Sequence, residues 1–348
     1  MTVMTDSLMR SEARSAPQCV EAFLAQSDER VTALGRALKA RDVRVAVTVA
    51  RGSSDHAAGH LAYLLLSRMG LLTTSLPPSV ITLHHAPIRC AGIAALAFSQ
   101  SGQSPDLFET QTALGARGAI TAAFVNDIAS PLAGASQYVI DLCVGPEKSV
   151  AATKSFIAQL VAGLSLLSHW ADDLALREAL RSLPETLARA ANSDWTAAIA
   201  PLVNAQRLFV VGRGASLSVA AEMALKFKEV CGIQAEAFSA AEIKHGPMAL
   251  VSAGYPLLVL APRGPEQAGL LAVADDLRKR GATVLLASTL SGAQLPIAIE
   301  SVNTSPAHSL LDAVSAVQSF YLMVEALARA RGLDPDHPPH LSKVTRTT

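Results

Sequence analysis

The chain has 348 residues, half of them apolar and only 17% charged, with Lys+Arg and Asp+Glu both at 29 and no net charge. That composition fills the cores of two to three domains and excludes large-scale disorder. A balanced surface with 4% aromatic residues argues against nucleic acid or an anionic membrane as the main partner, so an anionic ligand needs a local site.

The N-terminus, MTVMTDSLMRSEARSAPQ, mixes both charge signs without an apolar core and does not read as a signal peptide. Residues 1–40 read as a helical segment. A strand follows over Val45-Ala46-Val47-Thr48-Val49-Ala50 and runs into the turn Arg51-Gly52-Ser53-Ser54, with a helical pattern from Ala57 to Met69. A second strand, Ile93–Phe98, ends in the serine-rich Ser99–Ser104, and a helix ending at Arg117-Gly118 leads to a strand over Ala119–Phe124. The apolar stretch Ile157–Leu167 is about half the length needed to cross a bilayer, and a cytoplasmic protein is expected.

The same series then recurs. Leu208–Val211 and Gly212-Arg213-Gly214-Ala215-Ser216 match the first strand and turn, with Arg213-Gly214 lying 162 positions after Arg51-Gly52. A helix over Leu217–Val230, a strand over Pro256–Leu260 with the turn Ala261–Gly264, a helix ending at Arg280-Gly281 and a strand over Thr283–Ala287 complete the second copy. Strands alternating with amphipathic helices predict an α/β fold of two doubly wound parallel sheets flanked by helices. The expected domains are residues 41–170 and 204–332, joined by a helical linker over 171–203, with residues 333–348 as a C-terminal tail. Its run Asp334-Pro-Asp-His-Pro-Pro-His is expected to be extended. Cys19, Cys90, Cys143 and Cys231 are far apart, with no metal-like spacing, and read as reduced thiols. No metal or organic cofactor is implied.

Three sets of residues carry chemistry. Ser99-Gln100-Ser101-Gly102-Gln103-Ser104-Pro105 joins a buried strand to a helix, where ligands of open α/β sheets bind and where helix N–H groups are free. It reads either as a turn in which Ser104 caps the helix or as an anion site of uncharged donors, and three serines in six residues favour the second. Ser53 and Ser54 can add hydroxyls from a neighbouring strand. The second copy, Ala261-Pro262-Arg263-Gly264, lacks these groups, so a phosphate is assigned to the first half. Glu222, Lys226 and Glu229 share one helix face, as a solvated ion-pair stripe or as the border of a cleft. The small, apolar residues around them favour the cleft. His245, before Gly246-Pro247, has a side chain suited to proton transfer but by itself reads as structural, and Lys343 reads as a surface lysine.

Taken in order, Arg51-Gly52-Ser53-Ser54, Ser99–Ser104, Val150-Ala151-Ala152-Thr153-Lys154-Ser155-Phe156, Glu222-(x)3-Lys226-Phe227-Lys228-Glu229, Lys244-His245-Gly246-Pro247 and Leu341-Ser342-Lys343 resemble the tandem SIS (sugar isomerase) domains that form the isomerase half of glutamine–fructose-6-phosphate amidotransferase. Stand-alone, synthase-like glucosamine-6-phosphate deaminases are the most similar branch. The resemblance implies that Ser54, Ser99, Gln100, Ser101 and Ser104 hold the phosphate and Ser53 a sugar hydroxyl. Val150 and Ala152 would line the sugar, Ala152 standing where the synthases carry a serine. Glu229 would move the proton between C1 and C2, His245 from a neighbouring subunit would open the ring, and Lys343, on a tail that closes the site, would form a Schiff base. Lys226 and Glu222 would order the polar groups. A homodimer is therefore expected. With Cys19 the only early cysteine, a glutamine-hydrolysing domain is not expected, and deamination of glucosamine 6-phosphate to fructose 6-phosphate and ammonia is the reaction expected. The alternatives are a galactosamine-6-phosphate deaminase/isomerase, a fructosamine-6-phosphate deglycase, an ammonia-dependent synthase, or a non-catalytic sugar-phosphate sensor.

Overall fold

The structure is a computed structural model and describes residues 6–290, 296–298 and 308–343. In chain order the elements open with α1 (Leu8–Arg14), α2 (Ala16–Gln26), α3 (Asp28–Ala40), β1 (Val45–Val49), α4 (Ser53–Met69), β2 (Leu72–Ser75) and α5 (Ser79–Thr82). They continue with β3 (Ile93–Ser99), α6 (Pro105–Ala116), β4 (Ile120–Val125), α7 (Pro131–Gly134), β5 (Tyr138–Asp141), α8 (Lys154–Trp170), α9 (Leu174–Arg181), α10 (Leu183–Ala190) and α11 (Ile199–Leu202). The second copy is β6 (Arg207–Gly212), α12 (Ala215–Cys231), β7 (Gln234–Ser239), β8 (Pro256–Ala261), α13 (Gln267–Lys279), β9 (Thr283–Ser288), β10 (Pro296–Ala298) and α14 (Asp312–Ala330). Among the described residues all inter-strand pairings are parallel, in two five-stranded sheets ordered β2-β1-β3-β4-β5 and β7-β6-β8-β9-β10. The two orders are the same topology used twice, as the sequence repeat predicts.

The chain forms two compact units. One comprises residues 18–147, 154–181 and 342–348 and holds the first sheet; the other comprises residues 1–17, 148–153 and 182–341 and holds the second. In the first-sheet unit the buried strands β3 and β4 are in register, Phe98 opposite Phe124, and the two rings stack at 4.5 Å. Every residue of α8 except His169 is buried, because α3 and α4 pack against it. In the second-sheet unit the equivalent place belongs to α14, packed on α1, α10 and α12. Together with the turn before it, α14 is long and apolar enough to cross a membrane, but 89% of its most apolar window is buried as a core helix. It is therefore a longer candidate span than the Ile157–Leu167 stretch the sequence reading singled out.

Two expectations are corrected. Both long helices begin earlier than the pattern implies, at Ser53 rather than Ala57 and at Ala215 rather than Leu217. Gly52 (φ 56°, ψ −133°) and Gly214 (φ 62°, ψ −137°) turn the chain with dihedrals closed to other residues, so each helix starts at the next residue. Ser53 and Ser54 thus lie in the first turn of α4. The segment after α14 is turned rather than extended. Asp334 accepts from the Asp336 N–H at 2.9 Å and contacts His337 Nδ1 at 2.9 Å, while Asp336 accepts from the N–H groups of Leu8 and Met9 at 2.7 and 2.8 Å. Its carboxylate caps the open N-terminus of α1.

Candidate active site

In the first-sheet unit, pairing of β1 with β3 brings the two βα turns of the sequence reading side by side. Arg51 in the first donates from Nε (3.0 Å) and Nη2 (2.8 Å) to one carboxylate oxygen of Asp106, in the first turn of α6. Asp106 is 2% exposed and would oppose an anion at this helix end; the guanidinium neutralises it. The sequence reading named Arg51 but missed this pairing, since nothing local marks residues 55 apart as partners.

The Ser99–Ser104 loop is held from within. Gly102, at φ 65°, donates its N–H to Ser99 Oγ at 2.9 Å. A side chain there would sit 2.1 Å from Ser130 Oγ and 2.9 Å from Val125 Cγ2, so only glycine lets the loop curl this tightly. Ser104 occupies the N-cap of α6 in an extended conformation, yet its hydroxyl makes no capping bond. This removes the capping interpretation and leaves Ser104, half-buried, with its hydroxyl available to a ligand. Ser101 Oγ accepts from the Gln103 N–H at 3.3 Å, and Gln100 is half-buried. Ser54 Oγ accepts from Gln159 Nε2 at 2.9 Å, which ties α4 to α8; Ser53 is half-buried in the same turn.

The same unit holds Lys343. Its Nζ lies 3.0 Å from Glu147 Oε2, with Glu147 wholly buried and Lys343 23% exposed. Glu147 accepts in addition from Ser155, from its N–H at 3.1 Å and its Oγ at 2.6 Å, at the start of α8. The sequence reading did not select Glu147, because its partners lie 8 and 196 positions away.

In the second-sheet unit, Glu222, Lys226 and Glu229 form one group on α12, not a solvated stripe. Lys226 Nζ contacts Glu222 Oε1 at 3.2 Å and also bonds Glu229, and Tyr321 Oη donates to Glu222 at 3.0 Å. Glu222 and Lys226 are 0% exposed and Glu229 is 20% exposed. Burial alone would lower the Lys226 pKa, but the two carboxylates outweigh it and hold it above the usual lysine range. Of the two carboxylates, Glu229 reaches solvent and can meet a substrate. His245 is exposed, held by its own N–H to the Glu242 carbonyl at 2.9 Å, and Gly246 after it turns at φ 137°. Val150 and Ala152 are half-buried on a segment fixed by buried Glu12, which accepts from the N–H groups of Lys148 and Ser149 at 2.5 and 3.1 Å. Among the described residues no cluster of three or more His, Cys, Asp or Glu side chains is arranged to hold a metal ion.

The sequence profile of the SIS domain matches residues 41–169 and 201–330. The chain belongs to the SIS-domain family. It is 30% identical over 342 residues to the glutamine–fructose-6-phosphate aminotransferase (isomerizing) of Methanothermobacter thermautotrophicus, covering 97% of this chain and 57% of that protein. The SIS chain thus spans just over half the length of such relatives. Among solved structures, a protein of Silicibacter pomeroyi assigned as a phosphosugar isomerase superposes with a TM-score of 0.89 at 43% identity, covering 95% of this chain and all of that one. The glucosamine-6-phosphate deaminase of Thermotoga maritima superposes with a TM-score of 0.78 at 21% identity, covering 98% of this chain and 100% of that one, a likeness of fold. Both SIS copies coincide with the two sheets of the fold, so the serine loop belongs to the first SIS segment and the Glu222–Lys226–Glu229 group to the second.

Proposed function

We propose that the chain deaminates glucosamine 6-phosphate, giving fructose 6-phosphate and ammonia. The observation that carries this reading is the buried Glu222–Lys226–Glu229 group with one carboxylate, Glu229, open to solvent. A carboxylate so anchored suits transfer of a proton between adjacent sugar carbons. The phosphate is received by the Ser99–Ser104 loop at the N-terminus of α6, whose donors are uncharged and whose buried acid in the first helical turn, Asp106, is already paired with Arg51. His245 opens the pyranose ring, Glu229 carries the C2 proton to C1, the Lys343 amine displaces ammonia from the resulting fructose imine, and water hydrolyses the lysine imine to free fructose 6-phosphate and the amine. Lys343 is the amine that forms an imine with the keto sugar. His245 is exposed on its own chain and serves the site of a second copy, which makes the active species a homodimer.

The test is ammonia release from the purified protein given glucosamine 6-phosphate, with galactosamine 6-phosphate and a fructosamine 6-phosphate adduct alongside. Release from the glucosamine ester supports the reading. Release only from the galactosamine ester or from the adduct replaces it with the corresponding epimer-specific or adduct-cleaving activity, and binding without turnover of any of them replaces it with a sensor. A monomer that is fully active by light scattering under assay conditions would remove the role given to His245.

A further inference from the structure

We propose that Glu147 is a positioning residue that docks the C-terminal segment before substrate arrives, by holding Lys343 against the first turn of α8. The proposal rests on the reading of Lys343 as the imine-forming amine. Glu147 is wholly buried, and both of its oxygens are anchored at the start of a 17-residue helix: Oε1 by the Ser155 N–H (3.1 Å) and Oε2 by the Ser155 hydroxyl (2.6 Å). That end of α8 carries the positive pole of its dipole, so the carboxylate is stabilised there whether or not a lysine faces it. Lys343 adds a third contact to Oε2 at 3.0 Å and is itself 23% exposed.

This asymmetry defines a latch. If Glu147 depended on Lys343 alone, withdrawal of the lysine would strand a buried charge. Because Ser155 already satisfies the carboxylate, Lys343 can leave at little cost and turn to a carbonyl carbon. The neighbouring apolar side chain contributes little burial here, since Leu341, two residues before Lys343, is 48% exposed. The ion pair therefore fixes where the amine waits, and Glu147 acts on the reaction only through it.

Two readouts separate this role from a merely structural one. The first is chymotryptic cleavage after Leu341 in the protein without sugar phosphate. Glu147→Gln should raise that rate on the order of tenfold, since cleavage follows the population of the undocked segment. Lys343→Gln, changed on the exposed side of the contact where misfolding is not a concern, should raise it equally. The second is the split between kcat and KM for glucosamine 6-phosphate: E147Q should lower kcat on the order of tenfold and leave KM within about twofold, because the phosphate is held elsewhere. Wild-type cleavage in K343Q, or in a folded E147Q, overturns the docking whatever happens to kcat, and a KM effect equal to the kcat effect overturns the positioning role. If the wild-type protein turns over no amino-sugar phosphate while both variants still expose the segment, docking stands and the proposed reaction falls.

Discussion

α4 and α12 are two helices of 17 residues, 162 positions apart, each opened by a glycine near φ 60° and closed by a glycine in the left-handed conformation, Gly70 and Gly232. Their interiors differ. Where α12 buries Glu222, Lys226 and exposes part of Glu229, α4 carries His60, Leu64 and Ser67. The loops after the third strands of the two topologies differ in the opposite sense. The first presents Ser99, Ser101 and Ser104 before α6. In the second, Arg263 occupies the position of Ser101 and closes on Asp312, 0% exposed, through Nε at 2.8 Å, Nη2 at 2.6 Å and its backbone N–H at 3.1 Å. One copy combines a serine loop with a helix that lacks the buried charges, the other a charged helix with a loop filled by its own side chains. On the function proposed above, a duplicated fold divides a reaction's needs between its two copies through the side chains set at equivalent positions.

The largest effect should come from the charged helix. Glu229→Ala is expected to lower turnover of the amino-sugar phosphate by about two to four orders of magnitude while sugar-phosphate binding persists, the range for a positioned acid–base group. Steady-state ammonia release set beside a binding isotherm checks it; a near-normal rate would leave α12 with no chemical role and end the division of labour drawn above.

Replacing Lys226 by leucine, the residue α4 carries in the same place, tests whether the two helix interiors are interchangeable. They should not be. The change leaves Glu222 buried with a charge and without its cation, and removal of one partner from a buried pair costs about 3–5 kcal/mol. Denaturant unfolding reads it. Adding Glu222→Gln to the same chain should recover a large part of the loss, since the stranded charge is then gone; a double variant no better than the single one would assign the loss to packing instead.

The loops give the next effect. Ser104→Ala should weaken sugar-phosphate binding by about 1.5–3 kcal/mol, the scale of a hydrogen bond to a charged group, and leave stability unchanged because Ser104 caps nothing. Arg263→Ala should do the reverse. It leaves Asp312 with the backbone N–H of residue 263 but without its cation, and costs about 3 kcal/mol, the low end for a broken buried pair because that N–H remains and Arg263 keeps 30% exposure, while sugar-phosphate affinity stays put. Titration with fructose 6-phosphate alongside unfolding curves separates the two, and equal effects on both quantities in either variant would break the contrast.

Much of this contrast was legible in the sequence, and the remainder was not for identifiable reasons. Strand alternation, the repeated Arg-Gly turns and the serine-rich loop are local patterns, and they place both sheets and the serine-rich loop at the end of β3. The Glu222–Lys226–Glu229 spacing gives a shared face, but burial by Tyr321, 99 positions away, decides that the face is interior. Whether Ser104 caps its helix is a matter of one side-chain torsion, which no spacing encodes. Arg51–Asp106, Glu147–Lys343 and Arg263–Asp312 join residues distant in the chain, and each becomes visible only when neighbouring strand ends or a returning segment bring them together.

The smallest expected effect concerns His60, which stands where α12 has Glu222. It is 1% exposed, its Nε2 is buried without a hydrogen-bond partner, and burial lowers its pKa from 6.5 to about 4. The unfolded chain takes up a proton on this ring below pH 6.5, whereas the folded chain does so only below about 4. Between those values the unfolded state binds more protons, so stability falls as the pH is lowered through the window and is unaffected above it. The term amounts to about 2 kcal/mol at pH 5 and to less than about 1 kcal/mol at pH 6. His60→Leu removes it, and the difference between wild-type and variant stabilities should shift by that amount between pH 7 and pH 5 in matched urea titrations. A constant difference across the range would mean that the imidazole is protonated in the folded protein and has found a counter-charge. α4 would then bury an ion pair as α12 does, and the two interiors would differ in degree rather than in kind.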